Sequence, residues 1–433
     1  MKAVILAGGR GMRLKPLTDN IPKVMVKVGG QPIIEHQIKL LKESGITDIW
    51  ILLGYLGDKI RNYFKTGEKW GVKLHYIQEG EPLGSAGCLR ALQGKISGDF
   101  LLFSGDVMMN FDVRRFVNWH RKIKNKIASV VVHPNDHPFD SDLVEIDQSA
   151  KVLSLLARPH PEGSYYRNLS IAAVYLMSSK ILSYVPADQK IDIEKGLLPI
   201  VLEKNQAIYC YQTPEYFKDM GTPERLKTVR RDYASGRINK YSLKNKQPAV
   251  FLDRDGVLVE AVDQLSHIED LRPYDFGAKA VKKINDLGYL VIIITNQAMI
   301  AKGFMTEKDL LEMNKKLETE LGYGGAKIDG FYHCPHHSKK GFAVEIPELK
   351  KKCSCRKPGI SLLERAAKDF NLDMKKSVFI GDSSTDAKTA ENAKIKFIGV
   401  KTGYVCKDGK YPLKKKPRIC KNLLAAVNYL PKL

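Results

Sequence analysis

Phe251-Leu252-Asp253-Arg254-Asp255-Gly256-Val257 decides the reading of this 433-residue chain. The apolar run Ala249-Val250-Phe251-Leu252 predicts a β-strand, and two carboxylates follow it two residues apart. A strand that runs out into a loop delivers such acids to the carboxyl end of a parallel sheet, where open α/β sheets bind ligands. There one Asp can attack phosphorus as a nucleophile while the other gives and takes a proton. A lone Asp-x-Asp-Gly is more often a turn, because both residue types favour turns. Its surroundings therefore have to carry the chemistry.

They do so through two more strand-like runs. Tyr289 to Ile294 ends in Thr295-Asn296-Gln297, and Ser377 to Ile380 ends in Gly381-Asp382-Ser383-Ser384-Thr385-Asp386. Arg356-Lys357-Pro358 lies between them. Three such parts at strand ends, with a lysine between the last two, make a turn-only reading untenable. Cys334-Pro335-His336-His337 and, after a lysine-rich loop, Cys353-Ser354-Cys355 add thiolates and imidazole at paired spacing. That pattern suits a closed, structural Zn²⁺ site with Cys334, His336, Cys353 and Cys355 as ligands, His336 being preferred to His337. Such a staple would also fix Lys357. Cys88, Cys210, Cys406 and Cys420 show no pairing and read as ordinary residues.

Residues 2 to 106 alternate β-like runs (Ala3 to Leu6, Asp48 to Leu53, Lys73 to Gln78, Phe100 to Phe103) with helical spacing at Ile33 to Lys42 and Lys59 to Tyr63. The alternation predicts a parallel sheet with helical crossovers. The first strand ends in Leu6-Ala7-Gly8-Gly9-Arg10-Gly11-Met12-Arg13-Leu14, with Pro22-Lys23 beyond. Glycines let a backbone approach phosphates closely, and Arg13 and Lys23 add fixed positive charge. After Tyr233 the apolar periodicity stops; residues 236–247 read as a polar linker between domains at 1–235 and 248–433.

Hydrophobic content of 44% and charged content of 27% are those of a globular protein. No apolar run is long enough for a membrane span, and Met1 leads directly into a strand, so a cytoplasmic location is expected. The charge of +22 is spread along the chain, with short runs only at Lys350 to Lys352 and Lys414 to Lys416. No zinc finger or interleaved aromatic-basic pattern accompanies it, so steering of small phosphorylated anions is expected rather than nucleic-acid binding.

The string from Leu6 to Lys23, with Glu81-Pro82-Leu83-Gly84-Ser85-Ala86-Gly87, Ser104-Gly105-Asp106 and Phe217-Lys218-Asp219-Met220-Gly221, resembles the sugar-1-phosphate nucleotidyltransferases. The resemblance implies attack of a sugar-1-phosphate oxygen on the α-phosphorus of a nucleoside triphosphate, GTP being favoured. It further implies Mg²⁺ on Asp106 and Asp219, Arg13 on the departing phosphates and Lys23 on phosphate oxygens. Leu6, Ala7, Gly8, Gly9, Gly11, Gln78, Pro82, Gly84 and Ser85 would contact the nucleotide. Where the family usually has Glu-Lys-Pro and then Asn-x-Gly, this chain has Ala157-Arg158-Pro159 and Ile171-Ala172-Ala173. Arg158 would stand in for the lysine on the sugar phosphate, although a planar fork is not a point charge.

Residues 248 to 405 resemble the haloacid-dehalogenase phosphatases, and their details resemble the D-glycero-D-manno-heptose 1,7-bisphosphate phosphatases, with histidinol-phosphate phosphatases as runner-up. That implies Asp253 as nucleophile, Asp255 as acid and base, and Thr295 and Lys357 on the transferring phosphoryl. Mg²⁺ would sit on Asp253, the Asp255 carbonyl and Asp382, with Asn296 and Arg356 on the substrate. Ala298-Met299 replaces the usual Ser-Gly of that family. The expected fold class is α/β: two doubly wound parallel-sheet domains, the first Rossmann-like, the second haloacid-dehalogenase-like with a zinc loop. The halves would act in sequence: removal of the 7-phosphate, then nucleotidyl transfer to the 1-phosphate. A homo-oligomer is compatible with this. The alternatives are a histidinol-phosphate-type phosphatase joined to a hexose-1-phosphate nucleotidyltransferase or to a non-catalytic nucleotide-sensing module.

Overall fold

The computed structural model describes residues 1–187, 189–413 and 416–431; Lys414 and Lys415 of the C-terminal lysine run lie outside them. The chain forms two compact units. The first comprises residues 1–133, 144–157 and 171–244, and the second residues 134–143, 158–170 and 245–433.

At the centre of the first unit is β1 (Lys2–Ala7), whose run of apolar side chains suits a strand covered on both faces. It pairs in parallel with β2 (Asp48–Leu53), which pairs in turn with β3 (Lys73–Gln78). On its other side β1 pairs in parallel with β4 (Asp99–Ser104). The amphipathic helix α1 (Ile33–Glu43) connects β1 to β2 and buries Ile34, Ile38 and Leu41 against the sheet. The chain thus runs from β1 to one side and returns to the other, leaving a switch point between β1 and β4 where ligands bind in such sheets.

Two short strands, β5 (Val107–Asn110) and, far along the chain, β7 (Tyr216–Asp219), form an antiparallel ladder just beyond β4. Between them in sequence, β6 (Ser170–Ser178) adds to the edge of β4 in antiparallel sense. The nine-stranded sheet of the described residues is therefore mixed, with the expected parallel order at its centre. Hydrophobic patterning reports burial and not strand direction, so β6 could not be oriented in advance.

The second unit holds a six-stranded sheet in which every pairing is parallel. Its order is β10 (Gly330–Cys334), β9 (Leu290–Asn296), β8 (Ala249–Leu252), β11 (Val378–Gly381), β12 (Lys396–Val400), β13 (Arg418–Cys420). The switch point falls between β8 and β11, the strands that end at Asp253 and Asp382. Residues 236–247, polar in sequence, carry a helical turn at Arg237–Lys240 and bury Ile238, Tyr241 and Leu243. No helix among the described residues is long and apolar enough to cross a membrane.

Candidate active sites

In the first unit the glycine loop leaves β1 at the switch point. A Cβ at Gly8 would lie 2.5 Å from Glu79 Oε2, so Glu79 would have to move to admit a side chain. Gly11 takes φ +66°, a left-handed conformation that glycine adopts without strain, and opens the turn Met12–Leu14. Thr18 Oγ1 donates to the Gly11 carbonyl at 2.8 Å and closes the loop.

Asp106 follows β4, and Ser104 Oγ donates to its Oδ1 at 2.7 Å. The Lys23 ammonium pairs with its other oxygen. Burial acts to raise the Asp106 pKa, but Lys23, with the hydrogen bonds from Ser104 and the backbone, outweighs it and leaves the carboxyl below its ordinary value. The β5–β7 ladder sets Asp219 opposite Val107, and the Met220 N–H donates to the Asp106 carbonyl at 3.0 Å. The two aspartates thus lie side by side although they are 113 positions apart in sequence. A Cβ on Gly221 would lie 2.7 Å from Asp219 Oδ2 and 3.0 Å from Arg13 Nη2, which places the Arg13 guanidinium beside Asp219. Arg13, Lys23, Asp106 and Asp219 therefore gather at one sheet end.

Two residues here escaped the sequence reading. Arg225 Nη1 donates to both oxygens of Asp219 at 2.8 Å from the first turn of a helix, α2 (Pro223–Ala234). Glu79 reaches over Gly8, and burial raises its pKa against a hydrogen bond from the Leu83 N–H. Neither residue has a distinctive spacing that would have marked it. The loop expected over the base has Gln78 donating to the Gly54 carbonyl at 3.1 Å and Pro82 exposed. Gly84 takes φ +78°, and the Ser85 N–H and hydroxyl both donate to Asp192 Oδ1 at 3.3 Å. Arg158 belongs to the second unit, where its Nη1 donates to Asp140 Oδ1 at 2.8 Å. Ala173, on β6, takes φ +53° where the family pattern has glycine.

In the second unit Asp253 leaves β8, and its N–H donates to the Ile380 carbonyl of β11 at 3.2 Å. Lys357 Nζ lies 2.7 Å from Asp253 Oδ2 and 2.7 Å from Asp386 Oδ1. Asn296 grips the Lys357 backbone from both sides: its Oδ1 accepts from the Lys357 N–H at 3.0 Å, and its Nδ2 donates to the Lys357 carbonyl at 3.3 Å. Thr295 is buried at the end of β9, its Oγ1 accepting from Gln297 at 2.9 Å. Asp382 accepts from the Tyr404 N–H at 2.8 Å, and the atoms of Gly256 and Gly403 press so closely on it that neither could carry a side chain.

Asp253, Asp382 and Asp386 bring their carboxylate oxygens within 4.8 Å of one another. Burial pushes Asp253 well above the carboxylate range; Lys357 opposes that, and Asp386, Asp382 and Asp255 reinforce it. Burial and Asp386 push Asp382 up to about 6. Burial alone would lower the Lys357 pKa, but the paired carboxylates raise it. Three crowded carboxylates against one ammonium leave an excess of negative charge and hard oxygen donors, which fits a divalent cation such as Mg²⁺. The Asp255 carboxylate is taken up by Arg254 and Gln297, so the carbonyl is what this residue could offer a cation. Asp386 was visible only as the end of Gly381-Asp382-Ser383-Ser384-Thr385-Asp386. In the structure its Oδ2 accepts from the Ser383 N–H at 3.2 Å and from the Ser383 hydroxyl, capping the helix Ser384–Asn392.

Cys334 at the end of β10 meets Cys353 and Cys355, with Sγ separations of 3.5, 3.2 and 3.2 Å. His336 Nδ1 lies 3.2 Å from Cys355 Sγ, whereas His337 Nδ1 bonds the Lys339 carbonyl. Zn–S bonds of about 2.3 Å give a tetrahedron with edges of about 3.8 Å, close to this arrangement. The quartet fits zinc. Arg356 Nη1 donates to the His336 carbonyl at 3.0 Å, tying the quartet to the residue beside Lys357.

Comparison with known proteins follows the same division. A family model described as nucleotidyl transferase matches residues 2–236, and one for haloacid-dehalogenase-like hydrolases matches residues 354–426. Over 164 residues the chain is 41% identical to D-glycero-alpha-D-manno-heptose-1,7-bisphosphate 7-phosphatase of Photorhabdus laumondii, spanning 37% of this chain and 86% of that one. It is 32% identical to mannose-1-phosphate guanylyltransferase 1 of Arabidopsis thaliana, spanning 58% and 67% of the two chains. UTP–glucose-1-phosphate uridylyltransferase of Synechocystis is 27% identical, with coverage of 53% and 63%; the chain thus spans less than two thirds of that relative. The chain belongs to the nucleotidyl transferase family over its first half and to the haloacid-dehalogenase-like phosphatases over its second.

Proposed function

We propose that the chain is a bifunctional enzyme of nucleotide-activated heptose synthesis. Its second unit removes the 7-phosphate of D-glycero-D-manno-heptose 1,7-bisphosphate. Its first unit transfers a nucleotidyl group, GMP from GTP, to the remaining 1-phosphate and releases pyrophosphate. The observation that carries the reading is the Lys357 ammonium held between Asp253 and Asp386 at the switch point, in a chain that is 41% identical over 164 residues to a heptose bisphosphate phosphatase.

Asp253 attacks the phosphorus while Asp255 gives a proton to the departing sugar oxygen. Asp255 then takes a proton from water as the aspartyl-phosphate is hydrolysed. Lys357 and Thr295 hold the phosphoryl oxygens, Arg356 faces the substrate, and Asn296 acts through the Lys357 backbone. Asp253, Asp382 and the Asp255 carbonyl would hold Mg²⁺, which would supply charge that screens carboxylate from phosphate. In the first unit Arg13 takes the departing phosphates and Lys23 a phosphate oxygen, and Asp106 and Asp219 would hold Mg²⁺. Such transfer is positioning and charge neutralisation more than covalent work. The quartet Cys334, His336, Cys353 and Cys355 would hold zinc in a structural role.

The test is incubation with Mg²⁺ and heptose 1,7-bisphosphate, alone and with each nucleoside triphosphate, following orthophosphate and pyrophosphate separately. Orthophosphate first, and pyrophosphate only when one triphosphate is added, is the expected result and identifies the base. The relatives named for guanylyl and uridylyl transfer make that base a matter for the experiment. A second reading, a first unit that senses nucleotide without catalysis, is favoured by the engagement of Arg158 with Asp140. Pyrophosphate release that is lost in Asp106→Ala would eliminate it.

A further inference from the structure

Lys357 serves Asp253; the neighbouring Asp255 has a cation of its own. Arg254, between the two aspartates, is fully buried at 0% exposure and is the largest side chain so placed. Its Nε donates to Asp255 Oδ1 at 2.8 Å, and its Nη2 to Asp255 Oδ2 at 3.3 Å and to Gln297 Oε1 at 3.1 Å. Gln297 Nε2 completes the ring by donating to Asp255 Oδ2 at 3.2 Å and to Thr295 Oγ1 at 2.9 Å. Among the described residues Arg254 Nη1 is buried without a hydrogen-bond partner.

A buried ion pair seldom adds stability over apolar packing, and an unpaired buried donor makes this one costlier still. The arrangement therefore points to control of conformation. Every partner of the Asp255 carboxylate is a donor. Each carboxylate oxygen has about two lone-pair sites, so Oδ2 is filled, while Oδ1 keeps one free on a side chain that is 31% exposed. We propose that Arg254 and Gln297 are positioning residues that hold Asp255 with Oδ1 turned out as proton acceptor for the second half-reaction. This rests on the phosphatase reading above. In that half-reaction water oxygen bonds to phosphorus, the phosphorus–Asp253 oxygen bond breaks, and the water proton passes to Asp255 Oδ1. Orthophosphate leaves and the Asp253 carboxylate is restored.

The experiment uses the full chain with Mg²⁺ and p-nitrophenyl phosphate under rapid mixing. The phenol of this substrate leaves readily, so the first half-reaction depends little on an acid. Gln297→Met keeps the shape of the side chain and removes its donor; Arg254→Lys keeps charge and removes the fork, and thermal melts check that both fold. Both variants should form the phosphoenzyme at the wild-type rate within about twofold. Its hydrolysis should be slower by about tenfold, so that p-nitrophenol appears as a burst approaching one per chain before a slow steady phase. If Gln297→Met, folded, slows phosphoenzyme formation as much as hydrolysis, or changes neither, the positioning role is wrong. Wild type that releases no phosphate, or does so undiminished in Asp253→Asn, overturns the phosphatase reading itself.

Discussion

In the second unit the Lys357 side chain is 2% exposed, Asp386 0% and Asp253 14%. In the first unit Lys23 and Asp106 are 12% and 26% exposed, and Arg225 and Asp219 28% and 35%. The difference follows from what each chemistry asks of the chain. A phosphatase that forms a covalent intermediate needs its own nucleophile fixed before substrate arrives, and packing at a parallel strand end supplies that. A nucleotidyl transfer reaction takes place between two substrates, so the chain contributes only charges to gather them. Those charges neutralise one another until phosphates arrive, Lys23 on Asp106 and Arg225 on Asp219.

The sharpest way to break this comparison is to disable each site in turn, since each draws its residues from one unit. Asp253→Asn should abolish orthophosphate release, by at least about 10⁴-fold as expected for loss of a nucleophile, and leave pyrophosphate release from the sugar 1-phosphate unchanged. Asp219→Asn should do the reverse, with a loss of about 10²–10³-fold as for other electrostatic groups. Parallel assays of the two products decide the matter. Equal loss of both activities in either variant would show that the sites do not work separately.

Next in size is the quartet. Cys353→Ser, or a strong chelator, should remove zinc as read by atomic absorption, and destabilise the second unit by roughly 4 kcal/mol, less than in small zinc domains because this unit has a core of its own. Orthophosphate release should fall with it, because Arg356 and Lys357 follow Cys355 directly. Pyrophosphate release should survive. A variant that keeps full phosphatase activity without zinc would separate the quartet from the positioning of Lys357.

The first unit should be the more acid-sensitive where His120 is concerned. This histidine on the helix Val113–Lys122 is 1% exposed, shares a 2.8 Å hydrogen bond with Ser129 Oγ, and faces Asp99 at 3.3 Å. Burial, aided by Lys126, outweighs Asp99 and pushes its pKa down to about 4. An unfolded histidine titrates near 6.5. Between those values the unfolded chain binds a proton that the folded chain does not. The contribution is therefore whole above pH 6.5 and is lost as pH falls towards 4, by about 3 kcal/mol across the window. Urea unfolding of wild type and His120→Gln between pH 7 and 4 measures it; parallel slopes in the two proteins would refute the assignment.

What the sequence disclosed follows the same contrast. Groups at parallel strand ends (Asp253, Thr295, Asp382, Asp106) were legible because an apolar run stops at a polar motif, and strand ends beside a switch point are where ligands bind. The four zinc-type ligands were legible because pairs of Cys and His at short spacing have few other uses. What pairs across sequence distance was not. Arg225 and Arg254 look like ordinary surface arginines until Asp219 and Asp255 are seen to receive them. Nor does periodicity show that residues 134–143 and 158–170 belong with the second unit, where the Tyr166 N–H donates to Thr319 Oγ1 at 2.9 Å.

The smallest effect tests whether the sugar side of the first unit kept its backbone while changing its side chains. Ala173 stands where the family pattern has glycine, yet its φ of +53° is a glycine-like conformation. Holding alanine there costs about 1–2 kcal/mol. Ala173→Gly removes that strain, but glycine gives back about 0.4–1 kcal/mol through the greater freedom of the unfolded chain. It also loses the contact of a methyl group that packs against the core. The net expectation is a gain of about 0.5 kcal/mol in urea unfolding of the first unit. A loss of more than about 1 kcal/mol, the usual price of glycine within a strand, would mean that the left-handed backbone at 173 is not the one the chain adopts.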